Sequence, residues 1–559
     1  MPTFHEKYFR NVTVRVLALI FSFLCTPFAK SQIVPQNLRA ISAQAIKEHV
    51  SYLASDALLG RATGSTGAES AAVYIARNLQ KAGFKPAGDK GTFFQAVPMH
   101  GSKPLKSSQL VIYTQNGKIN LDLEKDYLLY KYGAQTFVPQ PLEVVFVGYG
   151  IVAPEYDYND YQTIDVRDKI VVYLSGEPFS NDSAYFNGTN PTIYSYPESK
   201  ERLAIARGAR GSILIPDPRE PDTRLWDDWV RDFSFEDVTL AYAASAHLSL
   251  IIKPSSAAVL FRNSRYSLDQ VFLQRSHNAI KSFPLATKLA FKGKFKQREF
   301  ISSNVIGMID GEDKKLKDSY LILSAHYDHL GVGPAVKGDS IYNGAVDNAI
   351  GVSALLEVAK AFQQSAQKPK RSILFLFVTG EEKGLLGSTF YLDNPVVPHY
   401  KTLANINVDG IAIFDMFKSI VGVGSEMSTL GDDLARVCQA MHLRVAPVPP
   451  QFLNFESFAR SDQISFAKAG IPSILLMDGI DYVHLPMQEG LKKQLQWMQS
   501  LYHSPFDDLY QTICWDAACQ HTKVIYAFAH FLATDGQTVE WKPGTRFINA
   551  RLQSIAEKR

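Results

Sequence analysis

The chain has 559 residues, of which 46% are hydrophobic and 12% aromatic, a composition that excludes a largely disordered protein. At roughly 150 residues per domain, a chain of this length should contain several domains. The 58 basic and 55 acidic side chains nearly balance, so the chain lacks the strong basic excess typical of nucleic-acid-binding proteins.

The N-terminus has the pattern of a cleaved secretory signal. Basic residues precede the apolar run 16–28, and Ala29 and Ser31 are small residues where a signal peptidase reads the chain. No later stretch is apolar enough to span a bilayer. We therefore expect residues 1–31 to be removed and the protein to be exported, periplasmic or extracellular, without stable membrane insertion. An uncleaved anchor is the alternative, although the apolar run is short for a span.

The composition of the sequence and its apolar pattern then change along the chain. Residues 32–115 contain two amphipathic helical stretches and form the N-terminal part of the main domain. Residues 116–292 contain short strand-like runs between Gly, Pro and Asp, which predicts an inserted β-rich domain. Residues 293–545 alternate apolar strands with helices, and 546–559 form a C-terminal tail. Buried strands separated by helices predict an α/β fold with a mostly parallel, doubly wound sheet flanked by helices.

The cysteines do not form a disulfide framework. After signal removal three remain, and none lies in a Cys-x-x-Cys metal pattern. A structural role is expected for all three, and a bridge between Cys514 and Cys519 stays open.

Side chains that can bind a metal follow successive predicted strands in the region 293–545. They are His326 after the run 320–324, Asp347 in a turn before a helix, Glu381 and Glu382 after the run 373–378, and Asp409 after the run 403–408. Functional sites of open α/β sheets form beyond the carboxyl ends of strands. Zinc binds imidazole nitrogen and carboxylate oxygen, and a carboxylate can bridge two zinc ions. Each residue alone fits a structural role, but the ordered set indicates a metal site.

The same region contains a series of short motifs. They are HYDHLG (326–331), NGAVDNAIG (343–351), TGEEKGLLGS (379–388), NVDG (407–410), RSD (460–462) with GIP (470–472), and YHSPFD (502–507). Together they resemble the motifs of zinc peptidase family M28, strongly over about 295–535 and weakly over 40–90. Two departures are Val346, where many members carry Asp, and Ile350 in place of the usual Ser.

The resemblance implies a set of metal ligands. Asp347 would bridge two zinc ions, His326 and Asp409 would complete one zinc site, and Glu382 and His503 the other. The zinc count implied is therefore two per chain.

The resemblance also implies roles for residues around the ligands. Glu381 would be the general base, which takes a proton from the zinc-bound water and passes it to the leaving amine. Asp328 would orient the imidazole of His326. Tyr502 would help to hold the developing oxyanion.

The inserted segment resembles a protease-associated domain through FVGYG (146–150), DKIV (168–171) and ARGARG (206–211). In relatives this module caps the catalytic cleft. A β-rich insertion without catalytic consequence is the alternative.

The expected function is that of an exported two-zinc metallopeptidase acting on peptides, in the first place an aminopeptidase. A carboxypeptidase or dipeptidase of the same family and a one-zinc glutaminyl cyclase stay open. A non-catalytic binding ectodomain is disfavoured because every ligand position is filled. Side-chain preference and oligomeric state cannot be predicted.

Overall fold

The computed structural model describes residues 33–130, 137–188, 191–219, 225–243, 247–275, 278–455 and 458–558. The expected signal at 1–31 lies outside the described residues. Among the described helices, none combines the length and the apolar composition needed to cross a bilayer.

The α-helices are α1 Ala43–Leu53, α2 Thr66–Lys81, α3 Pro197–Ala206, α4 Trp226–Asp232, α5 Pro254–Ala257, α6 Leu268–Arg275, α7 Ile350–Gln364, α8 Leu386–Asp393, α9 Leu430–Ala440, α10 Gln463–Lys468, α11 Met487–Ser500, α12 Trp515–Thr534 and α13 Ile548–Ala556. The side chains of Ser42 and Ser65 cap the N-termini of α1 and α2 by accepting hydrogen bonds from backbone N–H groups three residues later. The two predicted helical stretches of the N-terminal region are therefore confirmed.

The strands are β1 Lys85–Pro86, β2 Phe94–Pro104, β3 Gln109–Thr114, β4 Gly117–Leu121, β5 Tyr127–Leu129, β6 Phe137–Phe146, β7 Val152–Ala153, β8 Tyr158–Asn159, β9 Ile170–Leu174, β10 Gly211–Ile215, β11 Asp237–Leu240, β12 Leu248–Ile252, β13 Phe283–Lys292, β14 Phe295–Ile309, β15 Tyr320–His326, β16 Gly331–Val336, β17 Asp339–Tyr342, β18 Ser372–Val378, β19 Thr402–Asn407, β20 Ser419–Val423, β21 Arg444–Ala446 and β22 Ser473–Asp478.

The main sheet has ten strands in the order β11-β2-β14-β18-β15-β19-β22-β20-β21, with β1 paired to β14. Strands β18, β15, β19 and β22 run parallel to one another at its centre. The flanks differ, because β11, β2 and β14 are antiparallel to their neighbours and β20 is antiparallel to β22. The expectation of a mostly parallel sheet is therefore wrong in detail: the sheet is mixed, with a parallel centre.

The antiparallel flank has a simple cause in the chain path. Strands β2 and β14 pair along their length, and Pro104 at the end of β2 lies opposite Phe295 at the start of β14. Between these two positions the chain rejoins the main sheet as β11, and it forms β14 after the second. Strands connected in this way run in opposite directions, as in a hairpin.

Helices cover both faces of the parallel centre. Alternate side chains of β15, such as Leu321 and Ile322, enter separate cores on opposite sides of the sheet. The first core is closed by α1, α2, α7 and α12. The second contains Tyr391 of α8 and Phe466 of α10. Strands buried on both faces explain why each one reads as a continuous apolar run.

Residues between β2 and β14 form the whole of a second sheet. Its eight strands have the order β4-β3-β13-β6-β9-β10-β12-β5, and it has its own apolar cores. It begins at Gln109, ahead of the expected boundary at residue 116. Strand β11, from the same stretch of chain, pairs instead with β2 of the main sheet. This pairing joins the inserted segment to the main domain.

The described cysteines, Cys438, Cys514 and Cys519, are unpaired, so no bridge joins Cys514 to Cys519.

Candidate metal centre

The predicted ligands meet at the carboxyl end of the parallel strands. His326 is the last residue of β15, Glu382 follows β18, and Asp409 follows β19, with β15 lying between the other two strands. Asp347 lies in the wide turn that leads into α7, and His503 lies in the loop after α11. The structure thus brings together all five residues that the sequence singled out, although they span 178 positions of the chain (326 to 503).

Asp347 stands between two groups of side chains. Its Oδ1 atom lies 3.2 Å from His326 Nε2, which is 3.1 Å from Asp409 Oδ1. Its Oδ2 atom lies 3.3 Å from His503 Nε2, which is 3.1 Å from Glu382 Oε2. Each oxygen of Asp347 therefore lies close to the imidazole of one predicted ligand, which in turn lies close to one further carboxylate. A carboxylate that bridges two cations has this arrangement.

The charges of the clustered carboxylates and histidines shift one another's pKa values. Burial opposes a charged imidazole, but Glu382 and Asp347 raise the pKa of His503 to about 10. Burial is likewise outweighed at His326, where Asp409, Glu381 and Asp347 raise the pKa well above its usual value. Burial alone would raise the pKa of Glu382, yet His503 and His329 hold it well below the ordinary value. The negative charge of the three carboxylates thus favours a positive charge at the histidines, and a bound cation would supply such a charge in their place.

The donor set fits zinc. Donor atoms of His326, Asp347 and Glu382 all lie within 4.8 Å of one another. His503 Nε2 is buried beside two carboxylates but makes no hydrogen bond of acceptable geometry, as expected for a nitrogen whose lone pair is directed at a metal. His503 also has φ 53°, an uncommon conformation for a residue other than glycine and one that recurs at functional sites.

Asp328 has different partners from those predicted. Its carboxylate lies 3.9 Å from His326 Nδ1, too far for a hydrogen bond, whereas its backbone oxygen lies 3.2 Å from that nitrogen. The carboxylate accepts hydrogen bonds from Thr63 Oγ1 at 2.8 Å and from the backbone N–H of Glu381 at 3.2 Å. The main chain of Asp328 therefore contacts the histidine, while its side chain contacts the loop that carries Glu381.

The carboxyl of Glu381 lies close enough to the cluster for the charges of the cluster to shift its pKa. Burial raises the pKa of its carboxyl well above the ordinary value, and the charges of Asp409, Glu382 and Asp462 raise it further against the effect of His326. A glutamate with a raised pKa is suited to exchange protons near neutral pH.

Tyr502 is stacked on the neighbouring ligand. The ring centroids of Tyr502 and His503 are 3.8 Å apart, with an angle of 20° between the rings. Burial and the nearby Asp347 and Glu382 raise the pKa of Tyr502 well above its usual value. Its hydroxyl therefore stays protonated and can donate a hydrogen bond.

Two residues that contact the metal centre or its loops, His329 and Arg61, were not predicted from the sequence. His329 is fully buried, and its Nδ1 lies 2.6 Å from Glu382 Oε1. Arg61, also buried, donates from its guanidinium to the backbone oxygens of Asn343 and Gly344 at 2.7 and 3.0 Å. The only sequence signal was their presence within motifs, since HYDHLG contains His329 and Gly60-Arg61 stands in the weaker N-terminal match.

A comparison with known proteins agrees with this geometry. Residues 304–529, less than half of the chain, match the family model described as Peptidase family M28. This segment is similar to the peptidase domains that the family model describes. The match supports a zinc metallopeptidase, and all five clustered residues lie within the matched range.

Relatives and solved structures extend the comparison. A probable glutamate carboxypeptidase of Zea mays, VP8, is 30% identical over 221 residues, covering 36% of this chain and 28% of the relative. Aminopeptidase Y of Saccharomyces cerevisiae is 29% identical over 235 residues, covering 40% of this chain and 38% of the relative. This chain thus spans less than half the length of these curated relatives.

A solved aminopeptidase from Aneurinibacillus sp. strain AM-1 superposes with a TM-score of 0.54 at 18% identity, covering 90% of this chain and 96% of the other. At that identity the likeness shows the fold alone.

Proposed function

We propose that this chain is an exported two-zinc aminopeptidase that removes N-terminal residues from peptides. The observation that carries the proposal is the position of Asp347, whose two oxygens lie close to the imidazoles of His326 and His503, each of which also lies close to another carboxylate. In this proposal His326 and Asp409 hold one zinc ion, Glu382 and His503 hold the other, and Asp347 bridges them.

The protein groups have distinct roles in the proposed reaction. Two zinc ions in this cluster would acidify a water molecule and polarise the scissile carbonyl. Glu381 accepts the proton of the attacking water and returns it to the leaving amine. Tyr502 donates its hydroxyl hydrogen bond to the oxygen that gains negative charge. The Asp328 carboxylate positions Glu381 through the backbone N–H of that residue.

Two comparisons bear on which end of the peptide is cleaved. The match to Aminopeptidase Y supports aminopeptidase activity, whereas the match to a probable glutamate carboxypeptidase favours a carboxypeptidase as second candidate. A one-zinc glutaminyl cyclase would leave one half of the cluster around Asp347 without a metal.

The deciding experiment compares peptides blocked at one end. An aminopeptidase should cleave a C-terminally amidated peptide and leave its N-acetylated counterpart intact, and a carboxypeptidase should show the opposite preference. A cyclase would instead release ammonia from N-terminal glutamine. Activity should disappear on chelation and return after two equivalents of zinc. Cleavage that persists in the fully metal-free protein would overturn the proposal.

We further propose that residues 109–292 form a protease-associated module and that residues 1–31 direct export. The pairing of β11 with β2 supports the first idea, because it carries part of the inserted segment toward the cluster. The mass of the mature secreted protein tests the second, since cleavage after Ser31 predicts an N-terminus at Gln32.

A further inference from the structure

We infer that His329 is a positioning residue, which holds Glu382 through one carboxylate oxygen so that the other faces the second metal position. The inference rests on the proposed function, since it assigns Glu382 to the zinc site that His503 completes. His329 itself is not among the proposed ligands.

The contacts of Glu382 carry the inference. Glu382 Oε1 lies 2.6 Å from His329 Nδ1, and Glu382 Oε2 lies 3.1 Å from His503 Nε2. The two oxygens of one carboxylate therefore face different histidines. Asp347 Oδ2 is 3.9 Å from His329 Nδ1, beyond hydrogen-bond range, so Glu382 is the carboxylate that this nitrogen engages.

The ring of His329 is fixed by its surroundings. Its backbone N–H donates to the backbone oxygen of Arg61 at 3.1 Å. Gly344 packs directly against the ring, since a Cβ atom at that position would lie 2.5 Å from His329 Cγ. Gly344 has φ 62° and precedes the turn that carries Asp347. The ring is thus wedged between the turn of Asp347 and the carboxylate of Glu382.

His329 directly follows Asp328, which also contacts residues of the metal centre. The backbone of Asp328 contacts His326, its carboxylate contacts the Glu381 backbone, and His329 contacts Glu382. Two consecutive residues shortly after β15 therefore contact a ligand from each proposed zinc site as well as the proposed base. Hydrogen bonds from outer groups to metal ligands commonly change metal affinity by about 10–100-fold.

The test uses two variants of the full chain and a matched control. His329→Phe keeps a ring against Gly344 but removes the donor, while His329→Asn retains an amide N–H close to the position of Nδ1. His530→Phe replaces another fully buried histidine, stacked on Phe362 in α7, and reports the general cost of such a change.

Calorimetric zinc titration of the metal-free proteins provides the main readout. We expect His329→Phe to weaken one of two zinc-binding steps by about 10–100-fold. His329→Asn should restore that step to within about threefold of wild type on the same scale of effects. His530→Phe should leave both steps unchanged. Visible absorption of the cobalt-substituted proteins should change in His329→Phe at the weakened site.

Three other outcomes would overturn either the inference or the proposed function. Wild-type affinity at both steps in His329→Phe overturns the inference. Equal weakening of both steps in the Phe and Asn variants, with parallel losses of Tm, also overturns it, because a purely structural residue would behave in this way. Failure of the wild-type protein to bind two zinc ions overturns the proposed function instead, and that result is obtained before either variant is compared.

Discussion

The carboxylate of Asp507 accepts a hydrogen bond from the backbone N–H of Asp347, with 2.9 Å between Asp507 Oδ2 and that nitrogen. Asp507 Oδ1 accepts a second bond from the backbone N–H of Val346, also at 2.9 Å. The loop that carries His503 is thereby joined to the turn that presents the central carboxylate.

Asp507→Asn should weaken both stability and metal binding. The new NH₂ group must face a backbone donor, and an unsatisfied buried polar group costs about 1–3 kcal/mol. Urea unfolding measures the first effect and zinc titration the second. Asp508→Asn is the control, because Asp508 accepts from the N–H groups of Tyr510 and Gln511 rather than from the Asp347 turn. Equal zinc affinity in both variants would contradict the prediction.

Substitutions of the adjacent residues Glu381 and Glu382 should have different effects on turnover and on zinc binding. We expect Glu381→Gln to lower kcat by at least about 100-fold while two zinc ions stay bound, because it removes a proton acceptor. Glu382→Gln should lose zinc, because its carboxylate belongs to the cluster around Asp347. Metal analysis of both purified variants, together with steady-state kinetics, distinguishes the roles. Near wild-type turnover in Glu381→Gln would refute its assignment as base.

Thr63 should influence catalysis from a distance. Its hydroxyl donates to Asp328 Oδ2 at 2.8 Å, and both residues are buried. Thr63→Val preserves shape but removes this donor, so the free energy of unfolding should fall by about 1–3 kcal/mol. Since the other Asp328 oxygen holds the Glu381 backbone, kcat should fall more than KM changes. Thr63→Ser should behave as wild type; a defect as large as that of Val would show that the lost methyl group matters.

Acid should destabilise the protein through His521. Burial lowers the pKa of His521 to about 3, and its Nδ1 accepts from the backbone N–H of Ala412. Below the ordinary value of 6.5 the unfolded chain binds a proton that the folded protein does not, so stability falls as the pH falls from about 6.5 toward about 3.

His521→Asn should therefore lose less stability between pH 7 and pH 5 than wild type, by about 1–2 kcal/mol in urea unfolding. His442→Asn, at an exposed position, provides the control and should follow wild type. Parallel losses in wild type and His521→Asn would contradict the prediction.

Phe235 should affect substrate binding. Its ring lies 5.0 Å from that of Tyr342, and Lys383 Nζ lies 5.6 Å from its centre, so it joins the inserted segment to loops beside the cluster. An aromatic contact of this kind is worth about 0.5–1.5 kcal/mol. Phe235→Ala should therefore raise KM by about twofold to tenfold with little change in kcat. Phe179→Ala, an exposed change in the same segment, should leave KM unaltered.

Much of the parallel centre was predictable because its strands are buried on both faces. The runs at 320–324, 373–378 and 403–408 read as apolar segments, and all three are strands of the structure. His326, Glu382 and Asp409 were predictable for the same reason, since each follows one of these runs closely in the sequence.

The antiparallel flank was not predictable in this way. The pairing of β2 with β14 joins residues about 190 positions apart, and no local pattern specifies it. The return of β11 to the main sheet is equally non-local.

The contacts that hold the ligands in place could not be predicted, because they depend on the positions of individual atoms, which residue types alone do not specify. The family resemblance implied that Asp328 orients His326 through its side chain, but the backbone oxygen of Asp328 lies closer to that imidazole than the carboxylate does. His329 carries no signal that distinguishes it from a core histidine until its distance to Glu382 is known.

The register of β2 and β14 has a consequence for engineering and for evolution. Because Pro104 and Phe295 face each other across the ladder, a tight hairpin turn could join β2 directly to β14 without altering the direction of either strand. Such a replacement would also remove β11, which pairs with β2 at the edge of the main sheet. Exchange of modules between peptidases would therefore have to supply both an antiparallel pair of strand ends and a strand for this edge.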